Sequence, residues 1–381
     1  VGQSDVEGAT LSDSDGPRSG GGGPRSGGGG PDSGGPQSGG GAGPGGSPAS
    51  AAESADFATL AGGSPAPGWD RYEVLELLGS GGMGAVYRAR DRRLDRTVAI
   101  KFLHRADPSL AVRLVREARA QAQIDHPGVC RVLEVGEIDG RAYLALQFVA
   151  GEPLHIAARR MTLDERVAAL RDVALAIEEA HRLGIIHRDL KPGNVLIERT
   201  AGGRWAPVVM DFGLARELAG DAALTRSGAV LGTPAYMAPE QARGDLAAID
   251  RRSDVYGLGA TLYELVTGQA PFAGTVQAEL LARVIHDDPA PPRQIDPGVP
   301  VALDTVVLQC LAKDPARRYR SARALADDLD RYLAGEPVLG RRPSAWQRLA
   351  RRARRHRAVV AIAAASLISL AILGGLAVQA W

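Results

Sequence analysis

The octapeptide His187-Arg188-Asp189-Leu190-Lys191-Pro192-Gly193-Asn194 sets a carboxylate, an ammonium and a carboxamide within six residues of loop. Moving a phosphoryl group onto a hydroxyl needs three things in one place. These are an acceptor for the hydroxyl proton, positive charge beside the phosphate, and an oxygen ligand for a metal ion. Asp211-Phe212-Gly213 adds a second carboxylate 17 residues after Asn194, and Ala238-Pro239-Glu240 closes the segment that follows.

Upstream, Gly79-Ser80-Gly81-Gly82-Met83-Gly84 fits G-x-G-x-x-G. Dinucleotide-binding loops share that spelling, but there the glycines open a helix and an acid is expected about 20 residues on. Here a strand-like run, GAVYRARD (84–91), follows the glycines. A hairpin tip without side chains can lie close over phosphates and offer them backbone N–H groups. Val98-Ala99-Ile100-Lys101 comes at the spacing of the next strand. Among 45 basic residues only Lys101, Lys191 and Lys313 are lysines. In so arginine-biased a chain, lysine marks places that need a compact charge on a flexible stem.

In chain order the five motifs match the protein-kinase signature set. The sequence resembles a protein kinase, most of all the bacterial eukaryotic-type (Hanks-type) serine/threonine kinases with a membrane anchor, over residues 72–334. The resemblance implies an α+β, bilobed fold with a β-rich small lobe (72–150) and a helical large lobe (151–334). The patterning agrees. YEVLELLG (72–79), GAVYRARD, RTVAIKFL (96–103) and two runs within 130–149 read as strands, with SLAVRLVREARAQAQI (109–124) helical between them. After Gly151 the runs 166–184, 254–268 and 276–286 have helical spacing.

The resemblance also implies roles. Asp189 positions the substrate hydroxyl and accepts its proton, while Lys191 neutralises the γ-phosphate. Lys101 binds the α/β-phosphates and is held by Glu117. Asn194 and Asp211 hold Mg²⁺, with Mn²⁺ as a substitute. Leu78, Gly79, Ser80, Gly81, Gly82, Met83 and Gly84 cover ATP. Val86, Ala99 and Leu196 sandwich adenine, and Gln147 and Val149 meet it at the connector between lobes. Lys191 two residues after Asp189, and Gly232-Thr233-Pro234 before Tyr236, are the serine/threonine forms. The implied enzyme is thus a non-specific serine/threonine protein kinase (EC 2.7.11.1). Arg188 before Asp189 points to control by phosphorylation, with Thr225 and Ser227 as the hydroxyls. Glu240 pairs with Arg318 to brace the large lobe, and Asp254 is a structural helix-start carboxylate. His187 is a packing residue, and His126 is a loop histidine with no visible partner. Three residues depart from the family pattern: Gln147 where an acid is usual, Gly128 in place of asparagine, and Gln121 where a small or apolar residue is usual.

The flanks carry their own message. Residues 1–67 hold 21 of 48 glycines in a loose repeat and read as a disordered Gly/Pro/Ser-rich tail. Residues 341–357 hold eight arginines and no acid, so the rest of the near-neutral chain is mildly acidic. Residues 358–378 are uncharged and, as a helix, span about 31 Å, a bilayer core. Read together, they are a juxtamembrane segment on anionic lipid and a single transmembrane helix, with the kinase domain on the cytoplasmic side. No nucleic-acid partner is expected. Protein serine and threonine hydroxyls are the expected substrates, and a homodimer that trans-phosphorylates is the analogy the family offers. Cys130 and Cys310, far apart, read as buried thiols of a reduced compartment. The alternative is a catalytically silent kinase-fold scaffold at the membrane, which would be expected to have lost a lysine, a base or a metal ligand.

Overall fold

The computed structural model describes residues 69–81, 84–103, 108–138, 140–212 and 234–340. The N-terminal tail, Gly82, Met83, Gly213, Thr225, Ser227, the arginine-rich segment and 358–378 lie outside the described residues. So does the side chain of Glu117. Among the described residues no helix is long and apolar enough to cross a membrane.

Five strands form one antiparallel sheet: β1 (Tyr72–Gly81), β2 (Gly84–Asp91), β3 (Arg96–Leu103), β4 (Val132–Ile138) and β5 (Arg141–Gln147). Their spatial order is β1-β2-β3-β5-β4. Strand alternation divides the sheet into two faces. Val98, Ile100 and Phe102 of β3 join Tyr72, Tyr87 and Tyr143 on the outer face, where Trp69 packs edge-on against Tyr72, Phe102 and Tyr143. Ala99 and Leu103 point the other way, into a cluster with Leu114 and Ala118 of helix α1 (Pro108–Gln121). That second cluster also takes in Val208, Leu196 and Met210 of the large lobe, so it bridges the lobes.

The large lobe begins with β6 (Glu152–Pro153) and α2 (Leu154–Ala157), then α3 (Leu163–Arg182). The sequence pattern starts α3 at 166; the structure starts it earlier because Thr162 and Glu165 form a reciprocal capping box. A hairpin of β7 (Val195–Arg199) and β8 (Trp205–Val209) follows, then α4 (Pro239–Ala242) and α5 (Arg251–Thr267). Helix α5 is capped by Asp250, ends at left-handed Gly268, and is buried on nearly every side, as expected of a central helix. Two of its glycines are demanded by packing. A Cβ on Gly257 would lie 2.9 Å from Leu190 Cβ, and one on Gly259 only 2.2 Å from Cys310 Cβ. Helices α6 (Gln277–His286), α7 (Pro292–Ile295), α8 (Val301–Cys310) and α9 (Ala322–Leu333) complete the lobe.

The hydrogen-bonded chain continues past the expected end at 334. Buried Asp328 accepts from Tyr319 Oη at 2.7 Å and from the N–H groups of Leu339 and Gly340, each at 2.8 Å. Cys130 and Cys310 are both buried and free, with burial pushing the Cys130 thiol up to about 12.

Candidate active site

Two loops carry the candidate residues: 183–194, between α3 and β7, and 210–212, after β8. Both contain a non-glycine residue in left-handed backbone, Arg188 at φ +66° and Asp211 at φ +53°. Such conformations persist only where the surroundings over-determine them. Asp254 of α5 supplies much of that constraint. Its Oδ1 accepts from Arg188 N at 2.8 Å. Its Oδ2 accepts from His187 N at 2.8 Å and meets His181 Nε2 at 2.7 Å. Gln241 Nε2 donates to Arg188 O at 2.8 Å. Neither His181 nor Gln241 carried a signal in the sequence; each lies beside a motif rather than in one.

His187 ties the loops together. It is fully buried, its ring lies 4.7 Å from that of Phe212, and its Nε2 meets Met210 O at 2.9 Å. Its Nδ1 accepts from Asp189 N at 3.3 Å, which leaves Nε2 as the donor to Met210. Met210 N in turn donates to Asn194 O at 2.8 Å. His126 has a partner after all: its Nδ1 accepts from Gly128 N at 3.0 Å, closing its own loop.

Within this frame the structure brings Asp189, Lys191 and Asn194 together. Asp189 Oδ2 accepts from Lys191 Nζ at 2.8 Å and Asn194 Nδ2 at 2.9 Å, and Asn194 Nδ2 also reaches Asp189 O at 2.8 Å. The Asn194 nitrogen is thereby occupied by Asp189, and the carboxamide oxygen is the atom suited to a cation. Lys101 Nζ lies 2.6 Å from Asp211 Oδ1, with side-chain exposures of 11% and 42%. Burial works to raise the Asp211 carboxyl, but the Lys101 ammonium, with His187 and Lys191 beyond it, outweighs this and holds it below the usual carboxylate range. Lys101 is thus paired with Asp211 here, while its expected partner Glu117 has its side chain outside the described residues.

Ala99, with Val86 and Leu196 packed beside it, shares the interlobe cluster with Leu146, Val149 and Met210, giving an apolar wall above the two loops. Leu78 and Ser80 are exposed at the sheet's free end, and a Cβ on Gly79 would meet nothing within 4 Å. Gly84 is different. A Cβ there would fall 1.8 Å from Phe102 O, so the close approach of β2 to β3 already demands this glycine. Glu240 and Arg318 lie outside the cluster, joined by two bonds of 2.7 and 2.8 Å in the buried large lobe.

Comparison with known proteins places this geometry. The protein kinase domain family matches residues 72–329. The chain is 41% identical over 278 residues to serine/threonine-protein kinase PknB of Mycobacterium leprae, covering 70% of this chain and 44% of that protein. It is 42% identical over 282 residues to serine/threonine-protein kinase PknJ of Mycobacterium bovis, covering 72% and 46%. The chain therefore spans less than half the length of these relatives. Among solved structures, a double mutant of the Mycobacterium tuberculosis PknI kinase domain aligns with TM-score 0.55 and 27% identity, over 69% of this chain and 96% of that one. Rad53 residues 1–466 in complex with AMP-PNP aligns with TM-score 0.56 and 25% identity, over 68% and 65%.

Proposed function

This chain belongs to the protein kinase family, and on that premise we propose that it transfers the γ-phosphoryl group of ATP to serine and threonine hydroxyls of proteins. The observation that carries the reading is the Asp189–Lys191–Asn194 cluster, linked through Met210 to the loop of Asp211, whose carboxylate Lys101 meets.

The mechanism follows from what each group can do. Asp189 holds the substrate hydroxyl and takes its proton as the oxygen attacks the γ-phosphorus. The bond to the β–γ bridging oxygen breaks and ADP leaves. Lys191, already beside Asp189, adds positive charge where the transferred group gathers negative charge. Lys101 holds the α- and β-phosphates, exchanging part of its contact with Asp211 for them. The apolar wall of Ala99, Val86 and Leu196 takes the adenine ring.

Hard oxygen donors suit Mg²⁺, which keeps waters and shares substrate phosphates rather than needing a full protein cage. The Asn194 oxygen and the partly exposed Asp211 carboxylate form such a set, and Mn²⁺ would fit it too. Bound there, the cation would neutralise charge on the ATP phosphates.

The same reading assigns residues 358–378 to a single membrane span. The arginines of 341–357 lie on anionic headgroups, and the catalytic domain lies on the cytoplasmic side. Asp328 fixes the chain's path as far as Gly340, one residue before the basic segment. Thr225 and Ser227 are the proposed autophosphorylation sites, reached in trans within a homodimer.

Incubating the chain and its Asp189→Asn variant with ATP and Mg²⁺, followed by mass spectrometry, tests the reading. Phosphate on Thr225 or Ser227 and on a protein substrate is expected from the parent, with transfer lost in the variant and ATP binding retained. Equal phosphate incorporation by both would sink it.

A further inference from the structure

Gln121 is the last residue of α1 and is only 4% exposed, on the helix that sends Leu114 and Ala118 into the interlobe cluster. Its Nε2 donates to Cys130 O at 2.9 Å, and its Oε1 is buried without a partner among the described residues. The residue it grips is itself bound to the large lobe through its backbone N–H. Cys130 N donates to Val209 O at 2.9 Å, and Val209 N donates to Gly128 O at 2.8 Å. Val209 ends β8, two residues before Asp211. A short line of bonds therefore runs from the end of the helix carrying Glu117, through the backbone of one residue, to the strand that delivers Asp211.

Packing alone does not account for a carboxamide here. A buried acceptor without a partner costs stability, and leucine would fill similar space without that cost. What the carboxamide adds is the N–H aimed at Cys130 O. We propose that Gln121 is a positioning residue of the phosphoryl-transfer site, holding α1 in register with the strand that presents Asp211. The proposal rests on the kinase reading above. Gln121 acts through α1 and the backbone of Cys130.

Gln121→Leu in the full chain is the test, because it exchanges one orphan for another. The unpaired Oε1 disappears, and Cys130 O loses its donor, so overall stability should change little. The expected result is a two- to tenfold fall in kcat, the range of one neutral hydrogen bond. The KM for a peptide substrate should hold, and amide hydrogen exchange should quicken at the C-terminal end of α1 but not in β7 or β8. Unchanged kcat, or a rise in KM alone, would overturn the proposal. Gln121→Met serves as the second variant should the leucine chain fail to fold. If the parent chain transfers no phosphate, the kinase reading fails. Exchange in the variant then decides separately whether Gln121 holds α1: faster exchange supports the clamp, and unchanged exchange removes it.

Discussion

Glu240→Ala should be among the most damaging single changes outside the catalytic loops, and the structure says why. Arg318 is 0% and Glu240 3% exposed. The guanidinium donates to Glu240 Oε1 at 2.7 Å and Oε2 at 2.8 Å. It also donates to Ala312 O at 2.8 Å and Arg252 O at 2.9 Å. Ser253 Oγ donates to Glu240 Oε1 at 2.7 Å. With the carboxylate gone, those carbonyls still accept, but the cation is buried with no counter-charge and Ser253 loses its acceptor. Breaking one side of a buried pair in this way costs about 3–5 kcal/mol. For a domain of this size each kcal/mol moves the melting temperature by about 2–4 °C, so a drop of roughly 6–20 °C is expected.

Thermal and urea unfolding of the parent, Glu240→Ala and the double change Glu240→Leu/Arg318→Met would measure this. The double variant should recover most of the loss, because similar apolar volume carries no desolvation debt. The pH dependence has a definite sign. Burial raises the Glu240 carboxyl, but the hydrogen bonds and charge of Arg318 outweigh it and hold the group below its ordinary value of 4.5. The pair's contribution is therefore fully present above that ordinary value and is lost as pH falls through the lowered folded value. Glu240→Gln should show a shallower acid limb than the parent. A cost below about 1 kcal/mol for Glu240→Ala would mean that water or a rearranged carboxylate reaches Arg318, and the argument from burial would be wrong.

Two further outcomes follow from buried groups away from the site. Lys313 Nζ donates to Val284 O at 2.5 Å and lies 4.4 Å from the Phe272 ring centroid; burial pulls its ammonium down to about 7, against the attraction of Asp288. Between that value and the ordinary 10.5 the unfolded chain binds the extra proton. Stability should therefore rise with pH by up to about 1.4 kcal/mol per unit, and Lys313→Met should flatten the rise in urea titrations at several pH values. Gly259→Ala places a Cβ 2.2 Å from Cys310 Cβ and should destabilise by about 1–3 kcal/mol. Cys310→Ala keeps the offending Cβ and should not relieve the clash, whereas Cys310→Gly should; equal relief by both would refute the assigned contact.

The sequence made the strands legible because β3 alternates cleanly between two apolar faces, and it made the helices legible through their 3.6-residue spacing. Helix starts were displaced because Thr162 and Asp250 are polar caps that a hydrophobic pattern does not count. The motif residues were legible one by one, but their bonding was not. That Lys101 meets Asp211, across 110 positions, depends on how the lobes close. Gly84 reads as a nucleotide-loop glycine, yet its nearest obstacle is the Phe102 carbonyl of the neighbouring strand. His181 and Gln241 were invisible because what they bond, the Asp254 carboxylate and the Arg188 carbonyl, exists as a target only after folding.

The arrangement explains how reactive groups on loops can be held at fixed spacing. Arg188 and Asp211 sit in backbone conformations that cost energy, so each needs an external constraint. For Arg188 that constraint is a carboxylate on the most buried helix of the large lobe, Asp254, whose two oxygens also hold the His187 backbone and the His181 ring. For Asp211 the constraint comes through the His187 bond to the neighbouring Met210 carbonyl and through the Lys101 contact. His187 is common to both lines, so a shift of α5 would move both loops together rather than one against the other. The distance between Asp189 and Asp211 is in this way governed by α5, while the approach of Lys101 is governed by the sheet and by whatever holds α1 beside it. Lys101 is where the two controls meet, because its contact with Asp211 joins the sheet to a loop that α5 helps to hold.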